Sequence, residues 1–367
     1  MITTQPETPN AANCDARQSD RPLATGSDAS PASPNAQLPQ DGQGDPPAVP
    51  SPGATSTPRI AGPEPRVPRA YHQGLLTEPR PQWWRGVLAL VGLAVAYLVV
   101  SVLLSAAAIM FDVGTTGVRP EPSTKGIAMT PALYAALVLG LAALTPLSML
   151  LQRVCFGIRA GYLSSVTGRF RWALFGKQAL FVVPLLAAYG FVFNLIQPSP
   201  GTRGADWVAI LALSIVLLPL QAAGEEQGFR GLMLRVAGTW NLNPTIALVL
   251  GAGFSSVLFM LAHGAGDPWL NLYYFCFGVT CSLIARYTGG LEGSTLLHAA
   301  NNVVFGVIAA LTTDMSTAFD RSAGVAGPFM LVQVVAISIL GAGLVISARR
   351  LNAQTITRPS NPVLQSN

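Results

Sequence analysis

Eight apolar runs dominate the chain after residue 82, at about 86–111, 130–151, 173–196, 207–224, 244–263, 269–285, 295–312 and 328–348. Each is close to the roughly 20 residues that a helix needs to cross a hydrocarbon core. Inside a bilayer the backbone must satisfy its own hydrogen bonds, so runs of this length fold as helices. The sequence therefore predicts an all-α, polytopic membrane protein of about eight transmembrane helices behind an N-terminal tail. Composition agrees: half of the 367 residues are apolar and only 11% are charged, against about 25% charged in soluble domains. Mean hydropathy is +0.44.

Four segments follow from this pattern. Residues 1–82 read as a disordered, Pro/Ser-rich cytoplasmic tail that holds more than half of the 29 prolines. With no apolar periodicity, such a stretch cannot bury enough surface to offset its ordering entropy. Residues 83–200 hold the first three helices, 201–312 a core of helices four to seven, and 313–367 the last helix and a short cytoplasmic tail. The first residues, MITTQPETPN, lack a basic region followed by an apolar core, so they do not read as a signal peptide. The stretch 157–172 is too polar to span and suits an interfacial helix or a plain connection.

Charge sets the expected orientation. Arg80 and Arg85, Arg153 to Lys177, Arg230 and Arg235, Arg286, and Arg349 with Arg350 fall on alternate connections, while the opposite connections hold Arg119, Lys125, Arg203 and Arg321. The bias places both termini in the cytoplasm. The net charge of +5 is spread between apolar runs rather than gathered on a soluble face, which argues against nucleic acid as a partner. The lipid bilayer is the implied surroundings. Cys14, Cys155, Cys276 and Cys281 have no zinc or disulfide spacing.

Within the apolar core lie three polar pairs spaced four apart: Glu226 and Arg230 in EEQGFR, Phe259 and His263 in FMLAH, His298 and Asn302 in HAANN. Residues four apart share a helix face. Ionisable groups at membrane depth are costly and are functional candidates by default. Glu226 with Arg230 has the spacing of a helical ion pair, which leaves Glu225 about 100° around the helix without that partner. Glu225 is then the candidate general base for water, and Glu226 with Arg230 the structural pair. Two of the chain's three histidines fall in these motifs. The proton-relay alternative, a proton-coupled transporter, uses the same residue types.

The order EExxxR, FxxxH, HxxxN resembles the CPBP family of intramembrane proteases, the CAAX-protease and bacteriocin-processing (Abi) family, over roughly residues 200–310. RG after the first motif and TGGLEGSTLLHAANN around the third are also similar to that family. The resemblance implies hydrolysis of a peptide bond in a membrane-associated peptide or protein. Glu225 would activate water, His263 would assist, and His298 and Asn302 would stabilise the oxyanion. Alternatively, His263, His298 and Glu225 could hold zinc with water as the fourth ligand. A catalytically silent relative that binds or protects a membrane partner is a further alternative. Geometry raises one requirement. Glu225 and His298 fall near the cytoplasmic face of simple spans, whereas His263 follows Pro244 by about 19 residues, roughly 28 Å. A shared site then needs the fifth helix to sit low, tilt, or bend at Gly251 or Gly253.

Overall fold

The computed structural model describes residues 67–77, 80–117, 122–123, 126–127, 129–198, 201–313 and 320–358. Residues 1–66, and with them Cys14 and most of the expected tail, lie outside the described residues, as do Arg119 and Lys125. Among the described residues, eight segments are long and apolar enough to cross a membrane. They are α1 (Trp83–Thr116), α2 and α3 together (Pro131–Ala142 and Leu144–Phe156), α5 (Trp172–Ile196), and α6 (Trp207–Glu225) continued to Ala237. Then come α8 (Pro244–Ala262), α9 (Pro268–Thr288), α10 (Glu292–Thr312) and α11 (Met330–Arg350). The protein is a multi-pass, all-α integral membrane protein, with one two-residue β-ladder between Pro122–Ser123 and Gly126–Ile127.

Local chemistry starts and stops these helices. Thr130, Asn243 and Asp267 each cap a helix that opens with proline, accepting backbone N–H bonds from the first turn. Proline at the first position loses no hydrogen bond there, and the capping oxygen satisfies donors that the helix cannot. Glycines in the left-handed region close α1, α3 and α9: Gly117, Gly157 and Gly289. The Asp267 carboxylate also accepts from Gly324 and Ala326, which ties the loop before α11 to the start of α9.

The fourth span departs from expectation in a way that decides the site. Read as ending at Glu225, it instead runs to Ala237, through a π-helical stretch at Glu226–Met233 and a final turn, α7 (Leu234–Ala237). Glu225 thus lies well inside the span. Arg230 and Arg235, counted above as loop charges, lie inside it too, 0% and 2% exposed. Both are packed against partners: Arg235 donates to Gln152 and stacks over Tyr71. Arg230 pairs with Glu226 and lies over the Phe259 ring, so both cations find partners within the protein rather than in a cytoplasmic loop.

The cytoplasmic-side expectations change as well. Residues 67–77 do not behave as an unpacked tail: Tyr71, His72, Gln73 and Leu75 are buried. His72 Nε2 donates to the Pro244 carbonyl, and Tyr71 hydroxyl donates to the Leu163 carbonyl. Ala70 pairs with Ile356 in an isolated bridge, so segments from both ends of the chain meet here. The signal for disorder was composition, and eleven residues with three aromatic or aliphatic anchors are too few to show it. The 157–172 connection is likewise inward: the single turn α4 (Gly161–Ser164) places Leu163 and Ser164 in the core, and Ser165 bridges to Gly290.

Candidate active site

α10 packs against α6, α5 and α9, with α8 beside α9, and the three motifs meet where these helices adjoin. The route begins with glycine. A Cβ at Gly224 would strike the Leu141 carbonyl, and one at Gly251 would come within 2.7 Å of the Leu234 carbonyl. These positions let α6 approach α2, and α8 approach α7, at backbone distance. Gly251 therefore serves as a contact point in a continuous α8, rather than as a bend.

The π-helical stretch sets the carboxylates. Its i→i+5 pattern holds more residues per turn than an α-helix and is common at functional sites. Successive side chains there diverge by less than in an α-helix. Glu225 and Glu226 converge on one ring: His298 Nδ1 donates to Glu226 Oε1 at 3.0 Å, and its Nε2 stands 3.2 Å from Glu225 Oε2. The expectation that Glu225 faces away from its neighbour's partners is thus refined. Arg230 belongs to Glu226, 3.1 Å away, but His298 joins both glutamates.

Arg230 is wholly buried. Its guanidinium lies 4.2 Å above the centroid of Phe259, where the ring's negative face compensates part of the lost hydration. Phe259 also packs edge-on to Phe229 and His298 and lies parallel to Phe277. The phenylalanine of the second motif is thereby the lid over the ion pair.

His263 ends α8. Its Nδ1 donates to the Phe259 carbonyl at 2.7 Å, and its ring stacks on Tyr274 at 3.8 Å. A carbonyl can only accept, so in the neutral ring Nε2 is left as the acceptor. The depth requirement is met from the other side: the fourth span continues past Glu225, so Glu225 sits deep enough for His263 to share a cavity with it. That cavity, of about 650 Å³, is lined by α1 and α2 residues such as Leu93, Tyr97 and Leu137, and by Gln221, Glu225 and His263. An adjoining cavity of about 390 Å³ is lined by His298, Asn301 and Asn302, and again by Gln221 and His263.

Asn302 completes the set. Its Nδ2 donates to Gln221 Oε1 at 3.3 Å, and Gln221 Nε2 donates to Glu225 Oε1 at 3.1 Å. The sequence reading missed Gln221, Tyr273 and Tyr274. Gln221 carried a signal: it stands four residues before Glu225, the same spacing that paired Glu226 with Arg230. The tyrosines carried none, because aromatics in a span look like anchors.

The residues do not fit a zinc ion as they stand. Zinc needs a lone pair from each imidazole, but both ring nitrogens of His298 face carboxylate oxygens, and His263 Nδ1 is held by a carbonyl. Among the described residues no three His, Cys, Asp or Glu side chains gather as a ligand set. The same geometry bears on His298 as an oxyanion donor, since neither of its nitrogens points elsewhere.

Among the described residues, eight spans long and apolar enough to cross a membrane define a polytopic membrane protein, and Glu225, His298 and Asn302 lie close together among its helices. Residues 207–304 match the family described as type II CAAX prenyl endopeptidase Rce1-like. The chain is also similar to the uncharacterized protein YyaK of Bacillus subtilis (strain 168), 31% identical over 135 residues. That match covers 35% of this chain and 44% of the relative, so it spans less than half of the relative's length. No solved structure matches the chain.

Proposed function

We propose that the protein is an intramembrane endopeptidase that uses Glu225 as general base and Asn302 as oxyanion donor. One observation carries this reading: Glu225 is buried yet lines the same cavity as His263, and its carboxylate is linked through one side chain to the Asn302 amide. The substrate is a membrane-associated peptide or protein, reaching the site through the largely apolar cavity beside α1 and α2. Both chain termini are cytoplasmic in this reading.

The chemistry follows from the donors and acceptors. A water between Glu225 and His263 Nε2 gives one proton to the carboxylate as its oxygen attacks the scissile carbonyl carbon. The carbonyl oxygen takes the negative charge, and the second Asn302 N–H, the one not given to Gln221, donates to it. Collapse of the tetrahedral species breaks the C–N bond, and Glu225 passes its proton to the leaving amine. A neutral donor preorganised in a dry site is effective for such an oxyanion. His298 holds the two carboxylates in place, and Glu226 with Arg230 fixes the turn that carries them.

The test is cleavage of an internally quenched peptide bearing a prenylated cysteine and a free CAAX-type C-terminus, with purified protein in lipid nanodiscs. Wild type is expected to cleave it, Glu225→Gln is expected to be inactive while folded, and a chelator is expected to leave the rate unchanged. Wild-type rates in Glu225→Gln, or chelator loss restored by zinc, would overturn the assignment. Failure of wild type on this peptide together with cleavage of an unprenylated precursor peptide would move the substrate class and leave the chemistry.

A further inference from the structure

Resting on that reading, we infer that Gln221 is a positioning residue that sets both the base and the oxyanion donor. It stands one helical turn before Glu225 on the same face of α6 and lines both cavities of the site. Its two ends do different work. Nε2 donates to Glu225 Oε1 at 3.1 Å, and Oε1 accepts from Asn302 Nδ2 at 3.3 Å.

The direction of this link is forced. An ionised carboxylate can only accept, so Gln221 must turn its NH₂ to Glu225. Its oxygen is then committed to Asn302, which must answer with its own NH₂. Asn302 Oδ1 consequently accepts from Asn301 Nδ2 at 3.2 Å, and Asn301 Oδ1 accepts from the Tyr273 hydroxyl at 3.3 Å. The charge on one glutamate therefore orients three amides in series. The orientation matters at Asn302. An amide has two N–H groups on one side and a carbonyl on the other, and only the observed orientation leaves an N–H for an oxyanion. Without Gln221, the Asn302 amide loses the partner that distinguishes its two faces, and Glu225 loses the contact that aims Oε1.

The consequence is a specific coupling. Gln221 touches no reacting atom; it acts through Glu225 and Asn302. Gln221→Met keeps an unbranched side chain of similar length and removes both hydrogen bonds, and Gln221→Leu is the second variant should the first fail to fold.

Two measurements on the full chain in nanodiscs decide the matter. The first needs no substrate: the infrared difference between wild type and Glu225→Gln isolates the Glu225 carboxyl stretch. In Gln221→Met that band is expected to shift, and an unmoved band overturns the inference. The second uses the quenched prenylated peptide. Gln221→Met is expected to lower kcat about 10- to 100-fold with KM within about threefold, since the lost contacts serve the transition state. In the Asn302→Ala background the same change is expected to cost less than in wild type, the remainder being the lost contact to Glu225. An equal loss in both backgrounds, or a loss carried by KM, marks Gln221 as merely structural and overturns the inference. If wild type cleaves nothing, the endopeptidase reading fails, while the infrared arm still decides the geometry.

Discussion

α1 and α10 are both membrane helices, yet they solve opposite problems. In the most apolar stretch of α1 only 11% of residues are buried in the protein, against 39% in α10. α1 turns Val102, Leu103 and Met110 outward, each more than 60% exposed to the surroundings that lipid fills. α10 buries Glu292, Ser294, His298 and Asn301. The difference shows where sequence is constrained. A lipid-facing helix needs only apolar bulk, whereas each polar group on an enclosed helix must meet a partner at hydrogen-bond distance. The family match, at residues 207–304, falls on the enclosed helices and omits α1.

The largest effects should come from the enclosed centre. Replacing Glu225 by Gln keeps its shape and its contact region but removes the base, and cleavage is expected to fall by about 10²–10⁴-fold with the melting temperature in detergent little changed. Loss of fold instead of activity would place Glu225 among the structural residues. Glu226→Gln should act in the other way. It leaves the Arg230 guanidinium dry and without its counter-charge, at a cost of about 3–5 kcal/mol, read as a lower unfolding midpoint. Changing Glu226 and Arg230 together to apolar residues should recover part of that stability. A Glu226→Gln protein that melts like wild type would show that the cation–π contact with Phe259 suffices.

A smaller effect lies in the 67–77 segment, where Tyr71, His72, Gln73 and Leu75 are buried. Burial, the largest influence, holds the His72 imidazole down at about 4, below the ordinary 6.5 or so. Arg286 pushes in the same direction, and the hydrogen bond to the Pro244 carbonyl opposes them. Nδ1 is buried without a hydrogen-bond partner among the described residues, so a second proton would have no acceptor. The folded state therefore binds fewer protons than the unfolded state between about pH 6.5 and 4. Stability from His72 is complete above that window and is lost as pH falls through it, by on the order of 3 kcal/mol. Melts of wild type and His72→Gln should converge as pH drops from 7.5 to 4.5, and parallel curves would show that the segment is already released.

The smallest contrast returns to the two helix types. Gly224→Ala would push a methyl into the Leu141 carbonyl and should cost about 1–3 kcal/mol. Val102→Ala on the lipid face of α1 should cost less than about 0.5 kcal/mol. Equal sensitivity at the two positions would mean that α1 is covered by a protein surface rather than lipid.

Hydrophobic run length by itself determined the class, the number of spans and the helical fold, because the bilayer leaves the backbone no alternative to helix here. Four-residue spacing singled out Glu226 with Arg230, Phe259 with His263, and His298 with Asn302, because a helix turns that spacing into a shared face. It could not show that Glu225 and Glu226 meet on one imidazole, since the spacing rule assumes α-helix and the chain is π-helical from Glu226 to Met233. Nor could it place Arg230 and Arg235 inside the span, because charge alone reads as loop until the partners Glu226, Gln152, Tyr71 and Phe259 are seen beside them. Tertiary structure decided the depth of the site, the burial of residues 67–77, and the part of Gln221, whose hydrogen bond with Asn302 joins residues 81 apart in sequence. Contacts of that separation depend on how helices pack, and packing is set by glycines and side-chain shapes on both partners at once.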